Sequence, residues 1–509
     1  MSLYIRVRNK LFPKSEVVKR YKYALKQNPE IRVLLAGLMQ STNLGDGVIS
    51  DCVEYLIRKV SEENKIKKVK VNTRDIRKDK SSAKLAAVRN SDLVIIPGGG
   101  MIKYQVENLP VALERVMSRA EHYGIPVMFN AVGVEGYDIE DEGCRLLLDM
   151  LSRYCVKKVT SRDYADFLNE NYLRGDIKAT RVADPAVWSA ETYGISKNPD
   201  SQIVGLGIAR AGLFEDYGTP CSKEELLELW SGIIRILDKN NIKWKLFTNG
   251  FRKDEDFLRE LAEYIGRADE LEEISVPTPV TPRELAEGIS QFKGIIACRM
   301  HANIIAYSMG IPCVGLVWND KLRFFGESIG CSKQFIERDK FSPEYVTDVF
   351  FEAMEKGFDE DILEREKKSV YESIADLFVP YAKAIIDCRR RDLTNIKLVC
   401  YGLPNLESDK LNREFFENCV DYFVSDDESL AGTQCLSRPV YSTQVLRKKL
   451  FGRRPFVIIS ETIDYTPAAK TLMTMGYKER FDFTNMHSYK RYVFKKGDVF
   501  TDISAPKNQ

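Results

Sequence analysis

Short apolar runs alternate with segments of helical periodicity along most of this 509-residue chain, and this alternation limits the possible folds. Residues 31–37 form a buried-strand pattern, and apolar positions between residues 48 and 60 then recur at helical spacing. The further strands predicted in this half are 68–71, 93–96, 127–131 and 156–160. Strands joined by helices pair in parallel, so the fold class is α/β.

The alternation starts again after a polar stretch, residues 196–202, which we interpret together with Asp184-Pro185 as a linker. Strands are predicted at 203–208, 244–248, 294–297 and 313–318, with an apolar helix at 226–237 and a charged helix at 254–267. The simplest architecture is two α/β domains, residues 31–195 and 196–340, that face each other across a cleft.

A third unit follows these two domains. Residues 341–392 have a charged, helical pattern, and residues 393–509 predict a small Rossmann-like α/β domain. Its strand patterns lie at 396–402, 420–424 and 455–460, with a closing Met475-Gly476-Tyr477. The first turn, residues 401–405, lacks the GxGxxG spacing that brings a backbone close to a pyrophosphate. We therefore expect a structural or partner-binding role for this domain.

Composition and charge exclude several classes of protein. The net charge of +2 does not favour nucleic-acid binding, and the eleven cysteines form no CxxC pair, which indicates reduced thiols in a cytoplasmic protein. No carboxylate spacing resembles a metal cage, so we predict no metal and no cofactor. No apolar run approaches the ~20 residues of a membrane span, and no signal peptide is evident. The sequence does not indicate an oligomeric state.

The N-terminal segment, residues 1–30, is basic. Eight Lys or Arg residues lie among the first 26 positions, against one glutamate. One interpretation is a solvated basic helix. The other is peripheral contact with an anionic membrane at its inner face, where each basic residue adds about 1 kcal/mol.

His301, one of three histidines, lies where a predicted strand gives way to an apolar helix. This junction faces the crevice beyond the carboxyl ends of a parallel sheet, where α/β proteins bind ligands. Backbone N–H groups at the helix start favour an anion, and Arg299 adds positive charge. A lone histidine is more often structural, but Arg299, His301 and Lys321 all follow strands of one predicted sheet. This arrangement suits anion binding and proton transfer.

Three other strand-end loops carry candidate residues. In the first, Asn43 and Asp46 either cap the next helix or meet a ligand hydroxyl. In the second, Gly98-Gly99-Gly100 leaves room either for tight packing or for a ligand. In the third, Arg210 either binds a phosphate or carboxylate or forms an ion pair at the surface.

Taken in order, these loops resemble the polysaccharide pyruvyl transferase family from about residue 33 to residue 330. The motifs are Asn43-Leu44-Gly45-Asp46, Asp92 with Gly98-Gly99-Gly100, Ser161-Arg162-Asp163, Asp184-Pro185, Arg299-Met300-His301, Ala306, Gly310-Ile311-Pro312 and Lys321 with Phe324 or Phe325. The resemblance implies a GT-B-like pair of Rossmann-type domains with the site between them. It also implies transfer of a pyruvyl group from phosphoenolpyruvate to hydroxyls of a sugar, which forms a ketal on a surface polysaccharide or its precursor.

The implied chemistry gives each candidate a role. Arg210, Arg299 and Lys321 would hold the carboxylate and phosphate of the donor, and His301 would protonate its methylene carbon or the departing phosphate. Asp46 would position or deprotonate a hydroxyl of a saccharide or lipid-linked saccharide acceptor. The resemblance adds Asn43, Gly98-Gly99-Gly100 and Arg162 to the substrate-binding residues.

Two alternatives stay open. A GT-B glycosyltransferase with a nucleotide-sugar donor would also use basic residues and a glycine-rich loop in a cleft, but no motif here marks a base or ribose pocket. A non-catalytic adaptor would bind partners through the C-terminal domain. The presence of Arg299, His301 and Lys321 together disfavours the adaptor.

Overall fold

The computed structural model describes residues 30–39, 44–79, 81–105, 108–390, 393, 396–405, 410–447 and 454–493. Nearly all of the basic N-terminal segment lies outside this part of the chain, as does Asn43. Three β-sheets alternate with helices, as an α/β fold requires. Within the described residues, no helix is long and apolar enough to cross a membrane.

The first domain contains a seven-stranded parallel sheet in the order β2-β1-β3-β5-β6-β7, with β4 paired to β5. Its strands are β1 (Ile31–Gly37), β2 (Val69–Asp75), β3 (Leu93–Ile96), β4 (Gly99–Lys103), β5 (Val127–Glu135), β6 (Val156–Ser161) and β7 (Thr180–Arg181). Its helices are α1 (Gly45–Glu63), α2 (Ser81–Arg89), α3 (Leu109–Tyr123), α4 (Glu142–Leu151), α5 (Ala165–Asn171) and α6 (Ser189–Tyr193). The sequence did not predict β4, and β5 continues four residues beyond its predicted end, to Glu135.

The second domain contains a five-stranded parallel sheet in the order β12-β11-β10-β8-β9. The strands are β8 (Ile203–Gly207), β9 (Lys243–Phe247), β10 (Gly294–Ala297), β11 (Cys313–Leu316) and β12 (Phe335–Ile336). The helices are α7 (Lys223–Lys239), α8 (Arg252–Tyr264), α9 (Leu271–Ile274), α10 (Pro282–Ser290), α11 (Met300–Ser308) and α12 (Asp320–Ser328). The predicted pair of α/β domains with parallel sheets is confirmed. The neighbouring strands β8, β10 and β11 lead to Arg210, His301 and Lys321.

Two further helices, α13 (Pro343–Lys356) and α14 (Glu360–Arg390), form the charged helical segment. Helix α14 returns to the first domain and packs along it. Trp188 donates a hydrogen bond from Nε1 to the carbonyl of Lys367 at 2.9 Å, and the Lys158 ammonium donates to the carbonyl of Ser373 at 2.9 Å. The segment therefore ties the second domain back to the first.

The C-terminal domain contains a six-stranded sheet in the order β15-β16-β14-β13-β17-β18. Its strands are β13 (Leu398–Tyr401), β14 (Tyr422–Ser425), β15 (Gln434–Cys435), β16 (Arg438–Ser442), β17 (Phe456–Ile459) and β18 (Phe483–Asn485). Its helices are α15 (Lys410–Cys419), α16 (Tyr465–Thr474) and α17 (Met486–Val493). Every pairing is parallel except that of β15 with β16.

The predicted closing strand at Met475-Gly476-Tyr477 is wrong. These residues turn the chain after α16, where Gly476 adopts a φ of 81° and the Tyr477 N–H bonds the carbonyl of Leu472 at 3.0 Å. The edge strand is β18, which follows this turn. A left-handed glycine after a helix marks the helix end rather than a strand, because only glycine adopts this conformation without strain.

Candidate active site

The candidate residues meet where the first two domains face each other. Helix α11 begins at Met300, directly after β10, and its second residue, His301, is only 6% exposed. The His301 Nε2 atom lies 3.7 Å from Oδ2 of Asp184, which belongs to the first domain. The first-domain carboxylate therefore faces the second-domain imidazole.

Asp184 is held in place from three sides. Its Oδ1 accepts a 2.9 Å hydrogen bond from the Ala186 N–H, its Oδ2 accepts from the Arg162 guanidinium, and His301 lies beside it. Burial alone would raise the pKa of Asp184, but Arg162 and His301 hold it well below its usual range. The carboxylate is thus a fixed negative charge. The interpretation of Asp184-Pro185 as part of a linker is wrong, because Asp184 is 6% exposed and lies inside the domain junction.

Asp46 reaches the same junction from the first turn of α1. The glycine before it, Gly45, is packed so closely on His301 that a Cβ there would lie 2.1 Å from the imidazole Nδ1. Burial raises the pKa of Asp46, and the positive charges of His301, Arg162 and Lys321 oppose this rise. A carboxyl group with a raised pKa is suited to accept and release a proton.

The three-glycine loop lets groups of both domains approach its backbone. A Cβ on Gly99 would lie 3.1 Å from Oδ1 of Asp46, and a Cβ on Gly100 would lie 3.1 Å from the Lys321 ammonium. Side chains here would crowd two candidate residues. Part of the site therefore forms over the glycine loop.

Lys321 crosses the domain junction as well. Its ammonium forms an ion pair with Glu135, at the end of β5, and Glu135 also pairs with Lys103. Burial and the charge of Lys103 together lower the pKa of Lys321 to about 7, against the opposite effect of Asp46. The charge on this group therefore changes near neutral pH.

The two predicted arginines of the second domain already have carboxylate partners. Arg299 makes two hydrogen bonds to the fully buried Asp254, at 2.9 and 2.6 Å, and Asp254 also accepts from the Arg210 N–H at 2.9 Å. The Arg210 guanidinium pairs with Asp216, whose side chain is 57% exposed. Arg299 is thus rigidly held, whereas the partner of Arg210 is free to move into solvent.

A small cavity lies at the junction of the two domains. It is lined by Arg162, Asp163, Arg181, Ala183, Asp184, Val187, Met300, Ile304, Lys321, Phe325, Ser328 and Glu366. Neither Arg210 nor Arg299 lines this cavity. The structure therefore brings Lys321 together with Arg162 and Arg181, whereas the Arg299 guanidinium binds Asp254 and the Arg210 guanidinium binds Asp216.

The profile described as polysaccharide pyruvyl transferase matches residues 43–320, which is more than half of the chain and spans both facing domains. The chain belongs to the polysaccharide pyruvyl transferase family. The C-terminal domain lies outside the match. No curated protein matches the sequence.

Several solved structures are similar to about two thirds of the chain. UDP-GlcNAc 2-epimerase from Methanocaldococcus jannaschii is 14% identical, covers 69% of this chain and 99% of its own, and has a TM-score of 0.45. UDP-GlcNAc 2-epimerase from Neisseria meningitidis is 9% identical over 69% and 99%, with a TM-score of 0.43. ADP-heptose heptosyltransferase II from E. coli is 10% identical over 64% and 99%, with a TM-score of 0.34.

The sequence did not identify three site residues of this pyruvyl transferase family member. Asp184 appeared only as a linker and as a member of the family motif, although an aspartate before proline is also an ordinary cap of a helical turn. Glu135 lay beyond the predicted end of its strand. Asp254 resembled a solvated residue of a charged helix, and its 0% exposure is a tertiary effect.

Several buried polar atoms at the junction make no hydrogen bond to the described residues. They are the Arg162 Nε, the Asp163 Oδ2 and the His301 Nε2. Buried polar groups are nearly always paired, so unpaired ones indicate where further polar contacts belong. Among the described residues, no group of three or more His, Cys, Asp or Glu side chains is arranged to hold a metal ion.

Proposed function

We propose that this enzyme transfers a pyruvyl group from phosphoenolpyruvate to two hydroxyls of a saccharide and forms a cyclic ketal. The membership of the polysaccharide pyruvyl transferase family supports the reaction class. The observation that carries the proposal is the convergence of Asp46, Arg162, His301 and Lys321 at one buried domain junction.

The reaction needs both an acid and a base. A first sugar hydroxyl adds its oxygen to C2 of phosphoenolpyruvate, while the methylene carbon C3 gains a proton and becomes a methyl group. The C2–O bond to phosphate then breaks with its electron pair, and a second hydroxyl oxygen bonds to C2. The two hydroxyl protons leave to bases, and the products are the ketal and inorganic phosphate.

The residues at the junction suit these steps. His301 is the proposed acid that protonates C3 or the departing phosphate, and Asp46 is the proposed base that accepts a proton from the sugar hydroxyl. The carboxylate of Asp184 lies beside the imidazole and orients it, 3.7 Å from Nε2. Arg162 neutralises Asp184 in turn.

The donor brings two anionic groups, a carboxylate and a phosphate. Lys321 lies over the glycine loop close to Asp46, and its partner Glu135 is partly exposed, so an incoming anion can replace it. Arg210 is available in the same way, because its partner Asp216 lies in solvent. Arg299 acts indirectly in this proposal: its contact with Asp254 fixes the turn that carries His301.

The test is a transfer assay with [2-¹³C]phosphoenolpyruvate and lipid-linked or free oligosaccharide acceptors. Carbon NMR should show the label move to a ketal carbon, with one inorganic phosphate released for each ketal formed. Phosphoenolpyruvate should also raise the unfolding temperature of the protein, because a ligand that binds only the native state stabilises it. Protection by UDP-sugars and not by phosphoenolpyruvate would contradict the proposal and favour a glycosyltransferase.

A further inference from the structure

An aromatic pair lies beside the candidate site, at the rim of the cleft. Tyr217 ends the short helical turn Glu215–Tyr217 in the loop after β8, and Trp318 follows β11. Strands β8 and β11 flank β10 in the second sheet. Both aromatic residues therefore belong to the same sheet edge as His301 and Lys321.

This pair is held rigidly. The ring centres of Tyr217 and Trp318 are 4.7 Å apart, with an angle of 67° between the ring planes. The Trp318 Nε1 donates a 2.6 Å hydrogen bond to the carbonyl of Cys298, and the Tyr217 hydroxyl accepts a 3.0 Å hydrogen bond from Lys103 of the first domain. The two rings are thus fixed by both domains.

Tyr217 is nevertheless 39% exposed. Ligand sites are lined mostly by hydrophobic and aromatic side chains, with a few polar groups that fix the orientation of the ligand. The ring also lies within a network of charges, because its partner Lys103 pairs with Glu135, and Glu135 pairs with Lys321.

We propose that Tyr217 and Trp318 form the subsite that binds a pyranose ring of the saccharide acceptor, an inference that rests on the proposed pyruvyl transfer. A pyranose has a face of C–H groups, which packs on an aromatic ring, and a rim of hydroxyls, which hydrogen-bond to charged side chains. Lys103 and Glu135 supply such groups next to the Tyr217 ring. Phosphoenolpyruvate offers no comparable apolar face.

The chain of contacts also links this subsite to the reacting groups. Tyr217 contacts Lys103, Lys103 and Lys321 share Glu135, and Lys321 lies over the glycine loop beside Asp46. A sugar held on the aromatic pair is therefore adjacent to the proposed base. The proposed donor contact, Lys321, belongs to the same chain of contacts.

Binding to this subsite can be measured without turnover. The full-length protein is titrated separately with the methyl glycosides of galactose, glucose, N-acetylglucosamine and N-acetylmannosamine, with UDP, and with phosphoenolpyruvate. At least one glycoside should change the tryptophan emission in a saturable manner. The Trp318→Phe variant, which keeps the three other tryptophans, should lose this change.

Variants of Tyr217 separate the ring from its hydroxyl. Tyr217→Ala should weaken binding of that glycoside about tenfold, by calorimetry, since an aromatic contact contributes about this much. Tyr217→Phe should retain most of the affinity. A matched control is Tyr264→Ala, which removes a tyrosine that is 52% exposed on α8 and should leave the affinity unchanged.

Each result of these titrations either supports or overturns the acceptor subsite. Equal glycoside affinity in wild type and Tyr217→Ala, or no saturable change with any of the four glycosides, overturns the subsite. A response to UDP alone that Tyr217→Ala abolishes assigns the rings to a nucleotide base and also overturns it. Glycoside binding that depends on Tyr217, without any binding of phosphoenolpyruvate, supports the subsite and contradicts the proposed donor.

Discussion

Two domains of this protein present the same structural feature, the carboxyl edge of a parallel sheet, but with different chemistry. At the edge of the second domain, His301 and Lys321 face carboxylates of the first domain. At the edge of the C-terminal domain, Asp426 accepts hydrogen bonds from the Tyr401 and Thr443 hydroxyls, and Thr462 donates to the carbonyl of Leu403 at 2.6 Å.

The difference shows that the fold alone does not make the site. At the C-terminal edge, neutral hydroxyls bond Asp426, and the exposed Asp464 lies 3.1 Å from His122 of the first domain, so the described polar groups there stabilise loops and a domain contact. The second-domain edge instead concentrates buried charges whose partners come from another domain. Function depends on which side chains lie at the sheet edge and on which groups of the neighbouring domain lie opposite them.

The largest effect is expected from His301→Ala, which removes the proposed acid. Turnover should fall about 10²- to 10⁴-fold, the usual contribution of general acid catalysis, while phosphoenolpyruvate should still protect the protein against thermal unfolding. The matched variant at the C-terminal edge, Thr462→Ala, should keep turnover within about twofold, as it touches only the local loop. Comparable losses in the two variants would remove the contrast between the edges.

The two edges should also differ in what their carboxylates contribute to stability. Asp184→Ala leaves Arg162 buried without its anion, and this should cost about 3–5 kcal/mol in urea unfolding. Asp426→Ala should cost about 1 kcal/mol, since it removes hydrogen bonds from hydroxyls at an exposed residue. Equal costs would contradict the proposed difference in stability between the carboxylates at the two edges.

The pH dependence of the first of these effects has a defined sign. The pKa of Asp184 is lowered in the folded protein, so its stabilisation is fully present above the pKa of the unfolded chain, about 3.9. The difference between wild type and Asp184→Ala should therefore be constant between pH 7 and pH 6 and shrink progressively below about pH 5. A difference that grows on acidification would refute the assignment.

A smaller effect is expected from Gly45→Ala. The new Cβ must displace the His301 ring, because it would lie 2.1 Å from Nδ1, and overpacking of this kind costs about 1–3 kcal/mol. Turnover should fall about tenfold or more as the imidazole moves. Gly288→Ala is a suitable control, since its Cβ meets only Val276, at 3.4 Å. If both variants have wild-type kcat, the close contact between α1 and His301 has no catalytic importance.

The smallest expected effect concerns donor affinity. Lys321 has a pKa lowered to about 7, so it loses its charge as the pH rises from 7 to 9, whereas the phosphate of the donor keeps its full charge in this range. Affinity for phosphoenolpyruvate should fall about tenfold over these two units in the wild type. Lys321→Arg should remove most of this dependence, because arginine stays charged. Identical profiles would show that Lys321 does not hold the donor.

The sequence predicted the sheets and their edges better than the partners of each side chain. Apolar runs are local signals, so the strand at 93–96 and the positions of Arg210, His301 and Lys321 after adjacent strands were accessible. The contact of Asp184 with His301 joins residues more than a hundred positions apart, and no local sequence pattern predicts it.

The predicted anion pocket illustrates the same limit. Positive charges near strand ends can be found by inspection, but whether a carboxylate already occupies them is a tertiary property. Arg299 is bound by Asp254, a residue whose surrounding helix pattern predicts exposure, whereas Arg162 turned out to line the junction with Lys321. The expectation for Asn43 concerns a residue outside the described part of the chain.

The most direct test of the central claim is a crystal structure with phosphoenolpyruvate bound. Ligand density should lie between the first and second domains, with the anionic groups near Lys321 and C3 within reach of His301. Density at the edge of the C-terminal domain, or a domain junction that accepts only a nucleotide sugar, would contradict it.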